Sequence, residues 1–125
     1  GDLRIPFLKR AQLAAADLTR AGVGRLNGLG GLTMFADNLV PHVLRLDGIL
    51  RFEPALVERI ERGELITHGS PAEVEIRACA LHAVELIVAK RPGCRAADLD
   101  QLLWLRGQQR RYKASPRHRS RCTAY

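Results

Sequence analysis

Apolar residues along this chain recur at helical spacing, and no segment keeps up the period-two alternation of a strand. Leu13, Ala14, Ala15, Ala16 and Leu18 follow Lys9-Arg10-Ala11-Gln12, a run of strong helix formers that predicts a first helix over about 7–20, stopped by Gly22 and Gly24. The Gly-rich stretch from Gly24 to Gly31 lacks the Gly-x-x-x-x-Gly-Lys-Ser/Thr order and a preceding strand, so it reads as a connector rather than a phosphate loop. Pro41 fits the first turn of a second helix ending near Gly48, and a third runs from Pro54 to about Arg62 before Gly63. Ser70-Pro71-Ala72-Glu73 is a capping box with proline at the first helical position, opening a largely apolar helix that reaches Lys90. A last amphipathic helix over 96–106 is expected to carry Leu99, Leu102, Leu103 and Trp104 on its buried side. The expected fold class is all-α, in one helical domain over 1–125 with no internal repeat.

At 125 residues, 46% apolar and 26% charged, the chain can close one core and has little room for two. No stretch approaches the roughly 18 unbroken apolar residues of a membrane span. Gly1-Asp2-Leu3-Arg4 lacks the charged-then-apolar order of a secretory signal, so a soluble cytoplasmic product is expected. Cys79, Cys94 and Cys122 are odd in number, irregularly spaced and without a Cys-x-x-Cys pair, which reads as reduced thiols with no metal site. No cofactor is expected. The net charge of +7 lies entirely in the tail 106–125, whose seven Lys and Arg have no acid among them. Such a tail is either a frayed, solvated terminus or a binding element for phosphate.

Asp37 follows the apolar Thr33-Met34-Phe35-Ala36 and immediately precedes a helix start. Apolar surroundings raise a carboxyl pKa and helix N–H groups favour its anion, so Asp37 could be a usable desolvated carboxylate or an ordinary capping aspartate. Lys9 and Arg10 put at least one cation beside an apolar helix face, as an active-site lysine or as a solvated turn. Glu75 and Arg77 fall on successive sides of a helix read as nearly all buried, which calls for ion pairs or a ligand; Glu73 is explained by the capping box, and His82 reads as packed. Pro116-Arg117-His118-Arg119-Ser120-Arg121 could fold back onto an anion or be disordered. No nucleophilic triad is visible.

These segments, taken in order, resemble the queuosine salvage protein family, the queuosine 5'-phosphate N-glycosylase/hydrolases. The resemblance rests on Phe7-Leu8-Lys9-Arg10-Ala11-Gln12, Leu32-Thr33-Met34-Phe35-Ala36-Asp37, Val40-Pro41, and Gly69 with Glu73-Val74-Glu75-Ile76-Arg77-Ala78-Cys79. It continues through Ala83-Val84-Glu85 and Leu103-Trp104 to His118-Arg119-x-Arg121-Cys122 and Tyr125. The chain is similar to the C-terminal catalytic part of longer family members. Asn38 and Leu8 stand where the family has tyrosines, His42 where it has glutamine, and Asp47 and Ala124 replace apolar and aromatic residues.

The resemblance implies a fold like part of a helix-hairpin-helix DNA glycosylase, acting on queuosine 5'-monophosphate. Queuine and ribose 5-phosphate would be released, a salvage step feeding tRNA modification. It further implies Asp37 and Lys9 as catalytic residues, and Arg10, Asn38, Arg77, His118 and Arg119 as substrate-binding ones, the last three toward phosphate. The small nucleotide and a missing N-terminal portion are the expected partners, with no membrane or direct nucleic-acid contact. Two other readings stay open: a fragment that is inactive or needs that portion, and a small basic nucleic-acid-binding module.

Overall fold

Ser70 opens the longest helix by accepting a bond from the Glu73 N–H at 3.4 Å, with Pro71 in the first helical position. In the computed structural model, which describes residues 4–125, the elements run α1 (Lys9–Arg20), a 3-10 turn (Leu29–Gly31), α2 (Leu39–Leu46), α3 (Pro54–Glu61), α4 (Pro71–Ala89), α5 (Ala96–Gly107) and α6 (Arg110–Lys113). The opening Gly1-Asp2-Leu3 read above lies outside the described residues. The fold is all-helical. Among the described residues the extended pairing is one parallel bridge, where the Ile66 N–H donates to the Arg119 carbonyl at 2.8 Å. No helix among them is long and apolar enough to cross a membrane.

The core is built around α2, whose Leu39, Val40, Pro41, His42, Val43 and Leu44 are buried against α4 and α5. Met34, Ala36, Ala80, Val84 and Leu103 close the same cluster. Fully burying an aliphatic side chain of this size contributes about 1.5–3 kcal/mol, so this cluster outweighs the intrinsic preference of an eight-residue helix. By contrast α1 buries no residue, and Leu18 stays 46% exposed.

Four expectations change. The first helix begins at Lys9, because Phe7 turns into the core and Leu8 adopts a left-handed conformation at φ 48°. On α5 the buried stripe is Ala96, Asp100, Leu103 and Gly107, at true helical spacing, while Leu102 is 63% and Trp104 46% exposed. On α4 burial is confined to one stripe, so Glu75 and His82 are exposed. The basic tail is neither frayed nor disordered: it forms α6, buries Tyr112 and His118, and folds back along the body.

The α5 stripe is set by a close approach. A Cβ on Gly107 would stand 2.8 and 2.9 Å from Leu39 Cδ1 and Cγ and 3.0 Å from Val43 Cγ2. Gly107→Ala should therefore destabilise the fold by about 1–3 kcal/mol in urea unfolding, although alanine is the better helix former by about 1 kcal/mol. A stabilised variant would show that the α2–α5 crossing is not tight there.

Candidate functional site

The segment from Met34 to Asn38 passes through the core and ends at the start of α2. Asp37 caps that start: its Oδ1 accepts the Leu39 N–H at 2.9 Å and the Val40 N–H at 3.1 Å. Burial pushes the Asp37 carboxyl above its usual range, opposed by these two N–H groups and by the charges of Lys9 and Arg117. Asp37 is thus a helix-capping carboxylate that is also desolvated. One oxygen caps the helix, and among the described residues Oδ2 makes no recorded bond.

A second carboxylate lies beside it that the sequence reading missed. Asp100 is buried on α5, and its Oδ2 accepts the Phe35 N–H at 2.9 Å. Burial first, and the nearby Asp37 charge second, hold the Asp100 carboxyl up at about 7, with the Phe35 N–H and Lys9 pulling the other way. The sequence does carry a signal, an acid inside the stripe Ala96-Asp100-Leu103-Gly107, which lies one face away from the apolar Leu102 and Trp104.

Two clefts meet at Asp37. The smaller, about 410 Å³, is walled by Lys9, Leu13, Phe35, Asp37, Asp100 and Trp104. Its rim arginine is occupied, because Arg20 donates to Asp17 Oδ1 at 3.0 Å and to Gln101 Oε1 at 2.7 Å. The larger, about 650 Å³, is lined by Asp37, Asn38 and Trp104 together with the tail cations Lys113, Arg117 and Arg119. Asp37 and Trp104 are thus shared by both clefts, one weighted toward carboxylates and an aromatic floor, the other toward cations.

The residues singled out from the sequence fall into three groups. Lys9, Asp37, Asn38 and Arg119 line the clefts, with Asn38 donating to the His118 carbonyl at 3.1 Å and Arg119 to the Gly63 carbonyl at 3.0 Å. Arg77 and His118 lie behind them and wall neither cleft. Arg77 is 4% exposed and pairs with Glu73 Oε1 at 3.1 Å, while His118 Nε2 sits 3.2 Å from the Tyr125 hydroxyl. Burial holds the His118 ring down at about 4, so it is neutral at physiological pH and carries no charge for an anion. Arg10 stands apart, exposed, with its guanidinium donating to the Thr123 carbonyl at 3.3 Å. Glu73 has a larger part than a capping box gives it: it is fully buried as the partner of Arg77.

His42 and Asp47 also find partners. His42 Nε2 lies 2.8 Å from the Tyr112 carbonyl, so Nε2 carries the proton; Nδ1 is buried without a partner among the described residues. Burial lowers the His42 pKa. Asp47 accepts from Arg106 Nε at 2.8 Å and from the Tyr112 hydroxyl at 2.7 Å, and these bonds hold its carboxyl below the usual range.

Residues 2–125 match the family described as queuosine salvage protein. A protein of Sphaerobacter thermophilus named queuosine 5'-phosphate N-glycosylase/hydrolase is 42% identical over 98% of this chain and 40% of its own length. Proteins of the same name from Bos taurus and Dictyostelium discoideum are 35% and 37% identical, over 98% and 91% of this chain and 41% and 38% of theirs. The chain spans about 40% of the length of these curated relatives.

Asp100 sets a pH dependence that can be read from stability alone. A carboxyl raised from 3.8 to about 7 keeps a proton in the folded state that the unfolded chain releases. Its contribution is therefore full below about pH 4 and is lost as pH rises through about 7. His42 and His118, both lowered, act in the opposite sense and add stability as pH rises toward 6.5. Asp100→Asn removes only the first effect, so the variant should gain on the order of 2 kcal/mol relative to wild type between pH 5 and pH 8 in urea unfolding. Parallel pH profiles for the two proteins would place Asp100 in contact with water.

Proposed function

Because the chain belongs to the queuosine salvage protein family, we propose that it hydrolyses the N-glycosidic bond of queuosine 5'-monophosphate, releasing queuine and ribose 5-phosphate. In the cell this is a cytoplasmic salvage step that supplies queuine for tRNA modification. The observation that carries the reading is the place of Asp37 on the wall shared by an aromatic, carboxylate-lined cleft and a cationic one. A nucleotide has the same polarity, with an apolar heterocycle at one end, a phosphate at the other, and the glycosidic bond between them.

On this reading the base enters the smaller cleft against Phe35 and Trp104, and the 5'-phosphate meets Lys113, Arg117 and Arg119. Queuine is a 7-deazaguanine, with carbon where guanine has N7, so protonation at that position cannot make it a better leaving group. More of the barrier must then be removed at the sugar. The C1'–N9 bond breaks with its electron pair leaving on the base, and Asp37 faces the positive charge that develops at C1'. Water adds its oxygen to C1' and gives one proton to Asp37, while the departing base takes the proton held on Asp100. A proton returning from Asp37 to Asp100 restores the starting state. Burial disfavours the Asp37 anion, and the Val40 and Leu39 N–H groups, followed by the charge of Lys9, oppose that.

The partner we propose is the remainder of the family domain. The relatives are more than twice as long, α1 buries nothing, and the smaller cleft opens beside α1. A covering segment there would exclude water from the reacting centre and strengthen its electrostatics.

Two outcomes test the assignment. Asp37→Asn should lower queuine release, followed by chromatography of the free base, by about 10³-fold, within the range set by removing one preorganised charge or proton-transfer group. Release at the wild-type rate would remove Asp37 from the chemistry. Arg117→Gln and Arg119→Gln should each reduce the preference for the monophosphate over the free nucleoside by about tenfold or more in equilibrium binding, since each removes a charge-assisted hydrogen bond. An unchanged preference would move the phosphate elsewhere.

A further inference from the structure

From behind the clefts Arg77 touches the residue before Asp37 and the segment that leads into Lys9. Its Nε donates to the carbonyl of Ala36, the residue before Asp37, at 3.0 Å. Its guanidinium carbon lies 4.1 Å from the centre of the Phe7 ring, two residues before Lys9, and 5.0 Å from the Tyr125 ring on the folded-back tail. Between Phe7 and Lys9 the chain reverses through the left-handed Leu8, so the ring points to Arg77 while the lysine points to the cleft. Glu73 fixes the guanidinium at 3.1 Å, and is itself held by the Gly69 N–H and the Tyr125 hydroxyl at 3.1 and 3.0 Å.

We propose that Arg77 is a positioning residue that sets the separation of Lys9 and Asp37 through one stacked, hydrogen-bonded guanidinium, and that it does not touch substrate. This rests on the assignment of that pair above. The planar group is essential to the argument: one edge reaches Ala36, another Glu73, and a flat face takes the Phe7 ring. A lysine ammonium keeps the charge but has neither the fork nor the face.

The test uses Arg77→Lys, which leaves Glu73 a cationic partner, and Phe7→Leu, which keeps an apolar side chain and removes the ring. Both variants should retain helical circular dichroism. Amide hydrogen exchange should accelerate at least tenfold at Phe35 and Ala36, and at Gln12, whose N–H bonds the Leu8 carbonyl; the Leu103 amide, in the α2–α5 core, should be unchanged. In turnover of queuosine 5'-monophosphate, kcat should fall at least tenfold with KM within about threefold. Unchanged exchange at all three reporter amides in a folded Arg77→Lys protein would overturn the proposal, and so would a raised KM with unchanged kcat, which would return Arg77 to substrate contact. If wild type releases no queuine, the exchange measurements still decide the clamp, and it is the hydrolase reading that has failed.

Discussion

The buried Glu73–Arg77 pair is the constraint from which most of the architecture follows. Removing two charges from water is unfavourable by several kcal/mol per ion, and the fold can carry it only if nearly every donor and acceptor finds a partner. The required partners dictate where distant pieces of chain must go. Glu73 takes the Gly69 N–H, which fixes the turn into α4, and the Tyr125 hydroxyl, which brings the tail across the body. Burial pushes the Glu73 carboxyl up, but those bonds and the charges of Arg77 and His68 more than offset it, so it stays ionised. Arg77 in turn takes the Ala36 carbonyl and two aromatic faces. One ion pair within α4 thereby ties together the entry to α1, the entry to α2 and the end of the chain. An alanine at either position would leave a buried charge alone, at a cost of about 3–5 kcal/mol.

The tail is held by a second set of polar contacts whose logic is different. Asp47 is surface-facing and gathers Arg106, Arg111 and the Tyr112 hydroxyl, while His42 meets the Tyr112 carbonyl from within the core. Exposed ion pairs of this kind contribute little to stability singly. Their effect is geometric. By seating Tyr112 they settle the path of the chain after α6, and Lys113, Arg117 and Arg119 come to rest along one wall of the larger cleft. His42 and Asp47 thus both work on Tyr112, in the support of the tail.

The sequence was most informative where local rules govern. Ser70-Pro71 marked the start of α4 to the residue, and Asp37 was legible because a carboxylate between an apolar run and a helix start has few things it can be. What could not be read were pairings over long separations. Nothing in Pro116-Arg117-His118-Arg119 indicates that the Arg119 carbonyl will pair with Ile66, or that Asn38 will hold the His118 carbonyl. His118 and Arg77 suit an anion by residue type, but that they lie buried behind the clefts is a property of the assembled fold. The phase of α5 was misjudged for a related reason. Leu102 and Trp104 are apolar, yet Gly107 lets α2 approach so closely that the stripe through Asp100 turns inward instead.

That same rotation places two aspartates in one apolar setting with different prospects. Asp37 and Asp100 are both buried, so desolvation acts on each in the same direction. Asp37, however, lies at the first turn of α2, where two N–H groups converge on a single oxygen and the helix end favours negative charge. Asp100 has one N–H, from Phe35, and sits in the middle of its helix with no such end to face. When two neighbouring carboxylates compete for one negative charge, the one better supplied with N–H donors keeps it and raises the pKa of the other. The Asp37 charge thereby helps hold the neighbouring Asp100 carboxyl up at about 7, behind burial as the first cause. The difference between them arises from where each carboxylate lies relative to a helix start.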